Sequence, residues 1–184
     1  MARTESAMLN LQTPAPDFAL ADVITGRQIS LQSARGPKGM LVMFICTHCP
    51  FVKHLEKALA QLGHDYAGLG IGIVAISSND AASYPEDSPA GLAQQAKRLG
   101  FTFPYLYDET QQGAHDYNAT CTPDFFIFDS ALKLVYRGQF DDSRPGNGVP
   151  VTGKDLRAAL DAVLTGTPVN PVQRPSLGCN IKWK

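Results

Sequence analysis

Two uninterrupted apolar runs, GMLVMFIC (39–46) and IGIVAIS (71–77), have the pattern of strands buried on both faces of a parallel sheet. After the first run, Phe51, Leu55, Ala58, Leu59, Leu62 and Tyr66 recur at helical spacing, while Lys53, Glu56, Lys57 and Gln61 fall elsewhere on the wheel. The polar stretch NDAASYPEDSPAG (79–91) reads as a loop. Its Ser88-Pro89 pair predicts an N-cap followed by a first helical residue, for a helix that runs to Gly100. FPYLYD (103–108) is short and extended, and the segment from Glu109 to Tyr117 is expected to be helical. Two hairpins are predicted, one in DFALADVITGRQISL around Thr25-Gly26, the other joining DFFIFD to LKLVYRG near Asp129-Ser130. In VTGKDLRAALDAVLTG, Thr152 and Asp155 have capping-box spacing, Leu156, Ala159, Leu160 and Val163 form the apolar stripe, and Gly166 is the stop. The proline-rich tail ends in CNIKWK, which predicts an edge strand with Trp183 packed on the body. Strand, helix, strand, helix, hairpin and last helix make an α/β layout with a mixed sheet. One domain over residues 1–166 is expected, with residues 167–184 as an extension packed on it.

Composition narrows the partners. A hydrophobic fraction of 44% in 184 residues is enough for one sizeable core. A net charge of -1, with no Lys or Arg run, argues against nucleic acid and against an acidic membrane surface. The first residues lack a basic stretch leading into an apolar one, so no secretory signal is expected. Neither apolar run approaches the ~20 residues that a bilayer demands. A cytoplasmic protein is the expectation, and there four cysteines do not suggest a structural disulfide framework.

The chemistry concentrates in FICTHCPFVKH (44–54). Cys46 and Cys49 follow a buried strand and open a helix, and sites in open α/β sheets lie at the carboxyl ends of strands. Cys46 is expected near the N-cap and exposed, with Cys49 one turn inside. A thiolate there gains from unpaired N–H groups and the helix dipole, and His48 is expected to add positive charge beside the outer sulfur. Three readings compete: a redox dithiol, half of a metal site, and two inert buried thiols. Spacing disfavours the metal, because no second Cys or His pair follows at ligand spacing, so neither metal nor cofactor is expected. Cys-x-x-Cys after a strand in an α/β pattern favours the redox dithiol.

These stretches resemble the thioredoxin-like superfamily, and specifically its redoxin branch of thiol–disulfide oxidoreductases and alkyl hydroperoxide reductase relatives. APDFALADVITGRQISL is similar to the redoxin N-terminal hairpin, FICTHCPFVKH to its active site, and FPYLYDETQQGAHDYNATCTPDFFIFD to the stretch that leads into a cis-proline loop. The resemblance implies a thioredoxin-like mixed sheet flanked by helices. It also implies that Cys46 attacks, Cys49 resolves, and Thr122 with a cis Pro123 faces the sulfurs. The implied partners are a protein or small-molecule disulfide and a cellular thiol reductant. This sequence departs from thioredoxin itself at Ile45, and at Met40, where a buried Asp would stand. It departs from the cytochrome-maturing relatives at Val52, which stands in place of a Glu. Pro-x-x-x-Thr-x-x-Cys is absent in both registers, so peroxidase activity is the alternative, along with a binding protein that lacks redox turnover. Cys121, two residues before Pro123, is a candidate third thiol against the simpler reading of a small buried hydrophobe. For Cys179 a packing role is expected over that of a long-range disulfide partner, and for Asp141 and Asp142 a loop cap over a ligand-facing pair.

Overall fold

The computed structural model describes residues 3–184; Met1 and Ala2, with which the expected domain begins, lie outside the described residues. The core element is β4 (Gly39–Phe44), every residue of which is buried. It pairs in parallel with β5 (Ile71–Ser77) and antiparallel with β8 (Asp124–Asp129). Around them stand β2 (Ala19–Asp22), β3 (Gln28–Ser30), β6 (Tyr105–Tyr107) and β9 (Leu134–Gly138). The seven-stranded order is β3-β2-β6-β5-β4-β8-β9. Both predicted hairpins form, as β2–β3 and β8–β9.

The pleat sends alternate residues of β4 to two cores. Leu41 and Met43 face a cluster with Leu55, Leu59 and Leu62 of α2 (Pro50–Tyr66), Leu92 and Ala96 of α3 (Pro89–Leu99), and Leu156 and Leu160 of α5 (Lys154–Thr165). Met40, Val42 and Phe44 face Phe18, Leu31 of α1 (Leu31–Ala34), and Ala114 beside Tyr117 at α4 (Gln112–Asp116). Burial on both faces explains why β4 and β5 read as continuous apolar runs.

Several local expectations hold and others are corrected. Ser88 caps α3 through the Gly91 N–H, Pro89 is its first residue, and Gly100 ends it in the left-handed region. The active-site helix begins later than expected. Cys49, not Cys46, is the N-cap, with φ -68° and ψ 125°, because a residue before proline is pushed out of the helical region. The Thr152–Asp155 capping box does not form. Gly153 is the N-cap of α5 at φ 69°, and Asp141 accepts the Thr152 and Gly153 N–H groups at 2.6 Å each, which is the loop-holding role expected of it. The helix expected from Glu109 shrinks to Gln112–Asp116, since Gln111 takes φ 65° before it.

The tail differs most from expectation. Its strand, β10 (Leu177–Asn180), is not an edge strand; it lies between β1 (Arg3–Glu5) and β7 (Cys121–Thr122) in a three-stranded sheet of order β1-β10-β7. Trp183 stacks on His115, with ring centroids 4.3 Å apart. β10 can approach β7 only because residue 178 is glycine: a Cβ there would lie 1.9 Å from the Thr122 carbonyl oxygen. Gly178→Ala should therefore cost about 1–3 kcal/mol of overpacking. At roughly 2–4 °C per kcal/mol for a chain of this size, thermal denaturation should show Tm lowered by several degrees. Limited proteolysis should cut the tail first. A variant with unchanged Tm and tail protection would show that β10 is not held by this contact.

Candidate active site

The site lies where β4 ends and β8 begins. Phe44 pairs with Asp124, so the segment that leaves β4 toward Cys46 runs beside the one that enters β8 through Thr122. The Thr122-Pro123 peptide bond is cis, as the resemblance implied. Thr122 meets both cysteines: its Oγ1 is 3.3 Å from Cys46 Sγ, and its carbonyl oxygen is 3.2 Å from Cys49 Sγ. Gln95 of α3 donates to the Cys46 carbonyl at 3.3 Å and accepts from the Tyr105 hydroxyl at 3.2 Å. Structure thus brings Cys46, Cys49, Thr122 and Pro123 together, but leaves both sulfurs buried, so the expected exposure of Cys46 is corrected.

Among the described residues no disulfide joins Cys46, Cys49 or Cys121 to another cysteine. Cys121 is not the thiol nearest the pair. Its sulfur rests 3.7 Å from the Pro123 carbonyl oxygen, and burial pushes its pKa far up. Cys179 of β10 takes that place, with Sγ 2.9 Å from Cys49 Sγ.

His48 is drawn away from the role expected of it. Its Nδ1 lies 2.6 Å from Oδ2 of the buried Asp87, and its ring stacks on Tyr84 at 4.9 Å. Asp87 also accepts from the Thr47 N–H and hydroxyl, each at 2.7 Å, and from the Asn79 amide at 2.7 Å. The hydrogen bond to Asp87 raises the His48 pKa. Burial works against ionised Asp87, but the bonds from His48, Thr47 and Asn79 outweigh it and hold its carboxyl down at about 2.

The imidazolium charge is therefore matched within its own pair, and the carboxylate raises Cys46. Cys46 lies well above the usual thiol range because its proton is held toward Cys49, because it is buried, and because Asp87 is near. Cys49 is lowered, first by donation from Cys46, against burial, then by Cys179 and the Val52 and Cys179 backbone N–H groups. The direction for Cys46 runs against the low pKa expected of it, and the two sulfurs share one proton: the thiol pair raises Cys46 and lowers Cys49, while the Thr122 carbonyl accepts from Cys49 Sγ.

Among the described residues, Cys46, His48 and Asp87 each present a donor atom, all within 4.8 Å of one another, and could hold a cation; here Asp87 commits both oxygens to protein donors. Asp124, also buried, accepts the Phe125 N–H at 3.1 Å, and burial keeps its carboxyl protonated far above the usual range.

Asp87, Asn79 and Gln95 were not legible as site residues, and Cys179 was read for packing ahead of a disulfide role. Gln95 alone left a signal: a polar side chain on the Leu92–Ala96 face of an amphipathic helix.

A Cys-x-x-Cys pair at a strand–helix junction, facing a cis-proline loop in a mixed seven-stranded sheet, defines a protein of the thioredoxin-like class. Within that class, the AhpC/TSA family pattern matches residues 11–137, and the chain belongs to the AhpC/TSA family. An uncharacterized conserved protein from Geobacillus kaustophilus is 56% identical, with a TM-score of 0.98 over 100% of this chain and 97% of that one. A hypothetical protein from Sinorhizobium meliloti 1021 is 50% identical, with a TM-score of 0.96 over 98% of each chain. At 20% identity, a putative thiol:disulfide interchange protein DsbE from Chlorobium tepidum shares the fold, with a TM-score of 0.66 over 85% of this chain and 99% of that one. Comparison with curated proteins gives no match. Among the described residues no helix is long and apolar enough to cross a membrane.

The His48–Asp87 pair sets a pH window. Asp87 has a depressed pKa, so its contribution is present above the ordinary carboxylate value of ~3.9 and is lost as pH falls through about 2. His48 has a raised pKa, so its contribution is complete below ~6.5 and is lost as pH rises through the raised value. Asp87→Asn should lower the His48 pKa toward ~6.5, read by NMR titration of its ring protons. The same variant should cost about 1–3 kcal/mol in denaturant unfolding at neutral pH. An unshifted His48 titration would remove Asp87 as its partner.

Proposed function

We propose that the protein is a thiol–disulfide oxidoreductase that cycles Cys46 and Cys49 between dithiol and disulfide. The observation that carries this reading is the double contact of Thr122, whose hydroxyl meets Cys46 and whose carbonyl meets Cys49. A carbonyl only accepts, so it favours a protonated Cys49; a hydroxyl can donate, so it stabilises a Cys46 thiolate. With the shared proton on Cys49, Cys46 is the attacking thiolate, and no charge has to be brought in from water.

The Cys46 thiolate then attacks one sulfur of a substrate disulfide, and the other sulfur leaves as a thiolate. Cys49, giving up its proton, attacks Cys46 in the mixed disulfide and releases the second substrate thiol. The substrate disulfide gains two electrons, and the Cys46–Cys49 disulfide holds the oxidised state until a cellular thiol reduces it. Because neither sulfur reaches solvent, attack requires the segments around them to move aside.

Multiple turnover needs both thiols. With insulin as substrate and dithiothreitol as reductant, Cys46→Ser should abolish reduction. Cys49→Ser should stop at a mixed disulfide on Cys46, visible by intact mass. A Cys46→Ser protein with full activity, or a wild type that consumes peroxide at a rate insulin reduction never approaches, would overturn the assignment.

A further inference from the structure

The third sulfur of the site comes from the tail, and its placement is better constrained than packing demands. Cys179 stands opposite Thr122 across the β10–β7 ladder, the same residue that contacts Cys46 and Cys49. Its neighbours pin the strand on both sides. Ser176 donates to the Pro123 carbonyl at 2.6 Å, the Lys182 N–H reaches Asn79 at 2.8 Å, and Gln111 donates to the Lys182 carbonyl at 2.8 Å. Cys49 Sγ lies 2.9 Å away, against ~2.05 Å for a disulfide bond. Cys121 shows what a merely packed cysteine looks like in the same sheet, with its sulfur resting on a carbonyl and not on another sulfur.

We infer that Cys179 is a third redox thiol, which takes the disulfide over from the Cys46–Cys49 pair. The inference rests on the dithiol reading above, which supplies the Cys46–Cys49 disulfide from a substrate disulfide. Cys179, as the thiolate, attacks Cys49 Sγ. The Cys49–Cys179 bond forms as the Cys46–Cys49 bond breaks, and the electron pair of the broken bond leaves on Cys46. The proton given up by Cys179 ends on Cys46. No electrons enter or leave, so the step is an exchange and needs no further oxidant. Cys46 is released beside the Thr122 hydroxyl, which can donate to it, while the new bond ties the tail to the start of α2. Oxidised molecules then hold their disulfide between an N-cap and a tail strand, with Cys46 reduced again.

The test uses the full chain and one equivalent of hydroxyethyl disulfide, followed by acid quench, alkylation and peptide mapping without reduction. Wild type should give Cys49–Cys179 linked peptides with alkylated Cys46, alongside any remaining Cys46–Cys49 link. Cys179→Ala should give the Cys46–Cys49 link alone and lose the alkylation of Cys46. Cys179→Ser, which keeps a small polar side chain in β10, should behave the same and guards against a packing defect. Cys46→Ser should form no Cys49–Cys179 link, because the disulfide enters the site at Cys46. If wild type and Cys179→Ala both show only Cys46–Cys49, with Cys46 protected in each, the inference fails and the dithiol reading stands. If Cys179→Ala forms no Cys46–Cys49 link while keeping its wild-type Tm, the dithiol reading fails, and this inference with it.

Discussion

The antiparallel register of β4 on β8 is the constraint from which the site follows. Phe44 opposite Asp124 sets where each strand ends, and so it sets which residues of the flanking loops meet. A slip of one residue would turn Leu41 and Met43 toward the wrong core and carry Cys46 away from Thr122. Because every β4 residue is buried, both cores oppose such a slip. The same packing that stabilises the fold therefore holds Cys46 within 3.3 Å of the Thr122 hydroxyl.

Charge in this site is economical. Asp87 of the His48–Asp87 pair is satisfied by Thr47 and Asn79 and offsets the His48 charge, while His48 Nε2 is buried without a hydrogen-bond partner. Asp124 is held toward its neutral form because its burial outweighs the backbone hydrogen bonds from Phe125 and Thr120. What remains is one proton divided between two sulfurs, in surroundings that can favour either arrangement. The Val52 and Cys179 N–H groups favour charge on Cys49, whereas the Thr122 hydroxyl and carbonyl favour it on Cys46. The position of β10 thus bears directly on which thiol is ionised, since that strand places both the Cys179 N–H and the Cys179 sulfur beside Cys49. Gly178 is what lets β10 sit there, its missing Cβ leaving room for the Thr122 carbonyl.

Much of this architecture was legible before any coordinates. Continuous apolar runs marked β4 and β5, Ser88-Pro89 and Gly100 bounded α3, and both hairpins turned where glycine or aspartate allowed it. Cys46, Cys49, Thr122 and Pro123 were named together through their likeness to a known loop, and they do meet. These are features of short segments, in which the side chain at one position decides the backbone within a few residues. The start of α2 was misplaced for the same kind of reason, the restriction that Pro50 puts on Cys49 outweighing the apolar pattern.

What the sequence by itself determined is therefore the main strands and helices, their order, the two hairpins, and the pair of thiols at a strand end. Only the tertiary structure decided the electrostatics and the third sulfur. Asp87 reaches His48 from 39 residues away and Cys179 reaches Cys49 from 130 residues away, with no periodicity linking either pair. Such contacts depend on how sheets stack and where loops cross, so no local pattern records them. That is why His48, which reads from sequence as a source of charge for Cys46, proves in the folded chain to be committed to a carboxylate.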